Sequence, residues 1–149
     1  MKYSIFIEPP KDFNSSVEAA GCYCEWTDKI LLLKRHHQKP QGNTWGVPGG
    51  KMEKNETPRM AVIREIKEEV GLDIDDITLA IVGRLYCRLP HVDYVYHLFR
   101  KQFSVQPEVH LELEEHLEMK WVTIKEALEF PLIAGGIEAL KYYQERCFL

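Results

Sequence analysis

Glu65, Glu68 and Glu69 stand at positions i, i+3 and i+4 of one helical run, so at about 100° per residue they share a face. Carboxylates spaced this way repel one another by roughly 0.2–0.5 kcal/mol per pair in water, and by more where water is thinned. A hard divalent cation relieves that repulsion. Mg²⁺ takes only a few protein carboxylates and completes its octahedron with waters and substrate phosphates. Arg64 precedes Glu68 by one helical turn and can hold that carboxylate in one rotamer through an ion pair. Upstream, Gly49-Gly50 lets the backbone approach a ligand without an intervening Cβ, which makes a main-chain carbonyl there a candidate metal ligand. Lys51 follows and offers a point charge to a phosphate. These residue types suit chemistry on a phosphate-bearing small molecule, with Mg²⁺, or Mn²⁺ in its place, as cofactor.

The segment Gly50 to Leu72 resembles the signature of the Nudix hydrolases, the MutT-like pyrophosphohydrolases. That signature reads glycine, five residues, glutamate, seven residues, arginine-glutamate, an aliphatic residue, any residue, two glutamates, any residue, glycine, aliphatic. It is matched here by Gly50, Glu56, Arg64, Glu65, Ile66, Glu68, Glu69, Gly71 and Leu72. Seven of those positions demand a single residue type, and at roughly 7% per type chance supplies the match about once in 10⁸ windows. An ordinary glutamate-rich surface helix has no need of these spacings. The similarity extends outward to Trp45-Gly46-Val47-Pro48 and to Glu115-His116 and Trp121.

The resemblance implies an α/β (α+β) fold, an α/β/α sandwich with a mixed β-sheet. It implies hydrolysis of a phosphoanhydride in a nucleoside diphosphate linked to another group, and the small size with the Trp45-to-Gly50 segment favours a (deoxy)nucleoside triphosphate cut to monophosphate and pyrophosphate. Glu68 and Glu69 would hold the metal with the carbonyl of Gly49 or Gly50, and Glu65 would be a third ligand or the base that activates water. Arg64 and Glu56 would orient the carboxylates through salt bridges. Glu115, with Glu112 and Glu114 as alternates, falls where many members recruit a further base or ligand. Lys51 and Gly50 would meet the substrate, whereas His116 is expected to be structural. A homodimer is common in the family.

Other specificities leave weaker traces. The family's ADP-ribose hydrolases carry a proline some fifteen residues past the box, where this chain has Cys87, and dinucleoside polyphosphate hydrolases carry a tyrosine slightly beyond the place of Tyr86. An isomerase of related fold would need a reactive cysteine in a context that Cys87 lacks. A nucleotide-sensing module without turnover would have no use for intact Glu65, Glu68 and Glu69. Trp26, Trp45, Tyr86 and Phe130 are candidates to stack on a base, each with a core role as its plain alternative.

The acids need a scaffold. Thr57 is suited to cap a helix with Pro58 in its first turn, Val62, Ile63, Ile66 and Val70 form its apolar stripe, and Gly71 stops it. Val17 to Trp26 and Lys29 to Arg35 read as a hairpin turning at Thr27-Asp28. Trp45 to Pro48 is a short extended piece that Gly49-Gly50 should break. Ile77 to Leu89, Val92 to Phe103 and Leu117 to Val122 are further strands. Thr123 to Glu126 has the form of a capping box, and Gly136 to Arg146 is a last helix with Ile137, Leu140 and Tyr143 in register. Strands that outnumber helices without alternating with them favour a mixed sheet.

With 149 residues the chain is expected to form one domain, and its 45% apolar and 28% charged composition is ordinary for a globular protein. The net charge of −4 argues against a nucleic-acid polymer as partner, yet leaves small phosphates open because a metal reverses the field of an acidic site. No apolar run approaches the ~20 residues of a membrane span, and Met1 to Phe13 lacks a signal-peptide pattern, so the expected location is the cytoplasm. Four cysteines without paired spacing fit reduced thiols.

Overall fold

Every residue of Ile30-Leu31-Leu32-Leu33 is buried, which a strand achieves only when both faces of its sheet are covered. The computed structural model, which describes residues 1–148, shows how. Its elements run β1 (Ser4–Phe6), β2 (Ser15–Trp26), β3 (Lys29–Arg35), β4 (Trp45–Gly46), β5 (Gly49–Lys51), α1 (Pro58–Val70), β6 (Ala80–Leu89), β7 (Val92–Phe103), β8 (His116–Thr123), α2 (Ile124–Ala127) and α3 (Gly136–Phe148). The strands form one mixed sheet in the order β1-β6-β7-β2-β3-β4, with β5 added to β2 and β8 to β3. All pairings are antiparallel except that of β2 with β7. Alternate residues of the central strands then feed opposite layers. Cys22, Cys24, Leu31 and Leu33 pack beneath Val62, Ile66 and Val70 of α1, while Tyr23, Ile30, Leu32 and Leu98 pack with Leu140 and Tyr143 of α3. The result is a helix, sheet, helix sandwich.

The hairpin between β2 and β3 holds only at Glu25↔Ile30 and Trp26↔Lys29. Beyond it the strands part: β3 continues against β8 and β4, and the earlier half of β2 takes β5 at Ala19, Ala20 and Gly21. A gap bordered by β4 and β5 opens where they diverge. Two ion-paired clusters fix the layers around it. Glu25, 6% exposed in the core, receives Arg100 Nε and Nη2 at 2.8 and 2.7 Å and also accepts the hydroxyl of Tyr143, tying α3 to the sheet. Asp93 receives Arg88 at 2.8 and 3.0 Å and the main-chain N–H of Asn14 at 2.9 Å, which anchors the segment before β2 to the β6–β7 hairpin.

Several boundaries differ from those read in the sequence. Ile77 is not in a strand: Asp75 caps a single 3₁₀ turn, Asp76–Thr78, that leaves Ile77 exposed, and β6 begins at Ala80. Gly49-Gly50 is not the break: β4 ends at Gly46, the chain bends at Pro48, and Gly49-Gly50 opens β5, held by pairing with β2 that glycine cannot secure alone. β1, too short to show a period, is set by pairing with Arg88, Cys87 and Tyr86. Ile137 faces solvent, and Ala139 takes its expected place beside Leu140 and Tyr143.

Candidate active site

Helix α1 begins as its residues dictate. Thr57 accepts the N–H of Met60 at 3.2 Å, Pro58 occupies the first turn, and Gly71 closes the helix with φ of 72°. Its buried stripe is Ala61, Val62, Ile66, Glu69 and Val70, so one of the acids belongs to the apolar face. Glu69 is 7% exposed. Glu69 lies three residues after Ile66 and shares its burial, although it also shares a helical face with Glu65 and Glu68.

That burial has a clear chemical effect. The carboxylate accepts the N–H of Gly49 at 2.7 Å, yet desolvation outweighs this bond, and with the charges of Glu65 and Glu115 nearby its pKa is pushed up to about 8. Glu65 is raised as well, first by burial and then by Glu68 and Glu115, against the lowering effect of Arg64. It packs on Gly50, where a Cβ would sit 2.6 Å from its Oε1. Glycine is thus needed at this position for the acid to approach the strand. Glu68 is more open, with 57% of its side chain exposed, and it pairs with Arg64 Nη1 at 3.2 Å.

Arg64 is the hub. Its Nε and Nη2 meet both oxygens of Glu56 at 2.8 and 3.0 Å, its Nη1 reaches Glu65 at 3.0 Å, and its Nη2 also donates to the carbonyl of Lys51 at 3.0 Å. Glu56 also accepts the N–H of Glu53 at 2.7 Å, and Arg64 first and that N–H second hold its carboxyl below the usual range. One guanidinium therefore joins the loop before α1, the strand β5 and two acids of the helix. Glu115 stands on the segment leading into β8, exposed, with Lys39 at 3.2 Å. Glu112 lies in the same turn, and its N–H donates to the carbonyl of Glu69 at 3.2 Å. Lys51 projects from the end of β5 and is exposed.

His116 is closer to the acids than a structural role required. It is buried, its Nδ1 has no hydrogen-bond partner among the described residues, and Glu69 Oε2 lies 4.0 Å away, too long for a hydrogen bond. Burial first and Arg35 second bring its pKa down to about 4, so the ring is neutral near pH 7.

On the opposite side of β5 lies a cavity of about 420 Å³ between the sheet and α3. Gly49, Gly50 and Lys51 border it, as do Tyr94 and Tyr96 of β7, Trp45 of β4, Arg35, Gln41 and His116. Its far wall is the run Leu132 to Gly136 that leads into α3. Only Trp45 of the four aromatics named from sequence borders it: Trp26 packs on Trp121, Tyr86 on Phe13, and Phe130 stands behind Trp45. Tyr94 and Tyr96 were missed, although their i, i+2 spacing puts both on one face of a strand.

The donor set suits a hard cation, since every candidate is an oxygen and, among the described residues, no lysine or arginine makes an ion pair with the buried Glu69. Among the described residues no three His, Cys, Asp or Glu side chains close round one point. A site of this kind fits an ion that keeps waters and ligand oxygens in its shell, as Mg²⁺ does, and not a closed structural metal.

A family model, the NUDIX domain, matches residues 16–143. The chain is 29% identical over 131 residues to a CTP pyrophosphohydrolase of Escherichia coli (strain K12), covering 85% of this chain and 90% of that one. It is 32% identical over 135 residues to a dihydroneopterin triphosphate diphosphatase of Haemophilus influenzae, covering 81% and 82%. A MutT protein from Methanosarcina mazei Go1 shares the fold with a TM-score of 0.77 at 22% identity, over 89% of this chain and 96% of that one. The chain belongs to the Nudix family, and it is a pyrophosphohydrolase. No helix of the described residues is long and apolar enough to cross a membrane.

Proposed function

We propose that this pyrophosphohydrolase acts on a (deoxy)nucleoside triphosphate, releasing the monophosphate and pyrophosphate. The observation that carries the proposal is the placement of β5: its Gly49-Gly50 backbone has Glu65 and Glu69 against one side and an apolar, aromatic-edged cavity on the other. A ligand lying across this strand would put its ring in the cavity and its phosphates at the acids.

Glu69, Glu68 and the carbonyl of Gly49 would hold Mg²⁺, with Glu65 as a further ligand or as the base. When bound, the ion neutralises phosphate charge and orients the attacking water. Glu65, pressed on Gly50, would take a proton from water as the base, a role that its raised pKa supports. Arg64 and Glu56 fix the direction of the acids. Glu115 lies near enough for its charge to act on both Glu65 and Glu69, which supports it as an additional base or ligand. Lys51, exposed at the end of β5, would offer its charge to a phosphate.

The test is incubation with a nucleoside triphosphate panel and Mg²⁺, followed by separate quantitation of monophosphate, pyrophosphate and orthophosphate. Equal release of monophosphate and pyrophosphate is expected. Inert triphosphates beside rapid cleavage of ADP-ribose or a dinucleoside polyphosphate would replace this substrate class with the other.

A further inference from the structure

Gln41 occupies a backbone conformation that side chains other than glycine and asparagine seldom adopt, with φ of 54°, in the loop between β3 and β4. Its own carbonyl is consumed by Thr44, whose N–H and hydroxyl both donate to it, at 3.3 and 2.7 Å. The side chain reaches across the cavity's rim to the segment before α3. There the N–H of Ala134 donates to its Oε1 at 2.7 Å, and this bond assigns the amide's orientation, because only the oxygen can accept. The Nε2 group is left with two N–H donors and no partner among the described residues. Gln41 borders the cavity.

The neighbouring side chains limit what that donor can meet. No aspartate or glutamate is among the residues that line the cavity. Arg35 commits its Nε to the carbonyl of Pro40 at 2.8 Å and keeps its Nη groups as donors. Ring edges of the common bases differ in this respect: guanine and uracil or thymine show a carbonyl where adenine and cytosine show an amine. We propose that Gln41 is a specificity-determining residue that donates a hydrogen bond from Nε2 to the carbonyl at purine C6 or pyrimidine C4 of the substrate's base, so that the enzyme favours nucleotides with an oxo group at that position over those with an amine there.

This inference rests on the nucleotide triphosphate reading above. The substitution that isolates it is Gln41→Glu, which keeps an oxygen for the Ala134 N–H and replaces the free donor with an acceptor. Added charge near the phosphates would lower every rate, so the informative quantities are ratios of kcat/KM within size-matched pairs, ITP over ATP and UTP over CTP.

The wild-type enzyme should favour the oxo member of the pair whose ring it accepts by about tenfold or more, the worth of one hydrogen bond between a donor and an acceptor that would otherwise be unpaired. Gln41→Glu should bring that ratio to unity or invert it, with Tm unchanged. A second comparison needs no variant: purine riboside triphosphate, which lacks the ring carbonyl, should fall about tenfold below ITP.

A wild-type preference for the amino member, or a ratio that survives Gln41→Glu in a folded variant, overturns the assignment to Gln41 while leaving nucleotide hydrolysis in place. Absence of hydrolysis across all these triphosphates with Mg²⁺ overturns the substrate class, and the Gln41 proposal with it.

Discussion

Arg64 makes the case for what a single side chain does here that its charge alone does not. It binds Glu56 through two nitrogens and reaches Glu65, Glu68 and the Lys51 carbonyl with the same planar fork. A lysine offers a point charge and cannot satisfy these directions together. Arg64→Lys should therefore lower kcat on the order of 10²-fold with little change in KM, measured by steady-state pyrophosphate release; an unchanged kcat would show that the network is decorative. Glu69 tests a different term. Glu69→Gln keeps an oxygen for the Gly49 N–H and removes the charge, so turnover should fall on the order of 10²-fold or more while Tm stays level or rises. Glu68→Gln should also cut turnover with Tm held, since its side chain is largely exposed. The spacing of the acids and of Arg64 was legible because helical geometry is local. The burial of Glu69 was not, because it depends on where β5 passes the helix, a contact between residues 20 positions apart.

Elements show the same division between local and distant causes. α1, with its cap, proline and stop glycine, follows its sequence residue for residue. β5 and β1 do not, being three-residue strands whose conformation is imposed by partners on β2 and β6. Ile77 is the opposite error, a β-branched residue whose propensity lost to the side-chain cap of Asp75. Asp93 illustrates how elements are held once placed. Arg88 first, and the Asn14 N–H second, hold its carboxyl down to about 2, against about 3.9 for a free aspartate. A depressed acid binds fewer protons folded than unfolded, so its contribution is complete above the ordinary carboxylate range and is lost as pH falls toward 2. Asp93→Asn should lower Tm at pH 7, and the gap to wild type should narrow steadily below pH 4. A gap that stayed constant with pH would mean that the charge of Asp93 has no part in anchoring the hairpin.

Across the whole molecule, the two apolar layers meet their helices by different means. α1 is held by packing, by the Gly49 N–H bond to Glu69 and by the Arg64 bond to the Lys51 carbonyl, whereas α3 is tied by the buried cluster of Glu25, Arg100 and Tyr143. Tyr143→Phe leaves Glu25 its arginine but deletes the hydroxyl, a loss of about 1–2 kcal/mol. Thermal unfolding should fall by a few degrees with kcat preserved, and a fall in kcat would show that α3 helps to shape the reacting end of the cavity. The sandwich itself was legible from strand count and apolar period, but the cavity was not, since its wall combines β2, β7 and the run before α3 from distant parts of the chain. The parallel ladder from Ser15↔Asp93 to Trp26↔Phe103 also sets an order of events during synthesis. One of its strands leaves the ribosome long before its mate has been translated, so the middle of the sheet stays open through much of elongation. Assembly must wait for a closure between strands on either side of α1, and in that interval the open backbone of the first strand is free to pair with a neighbour.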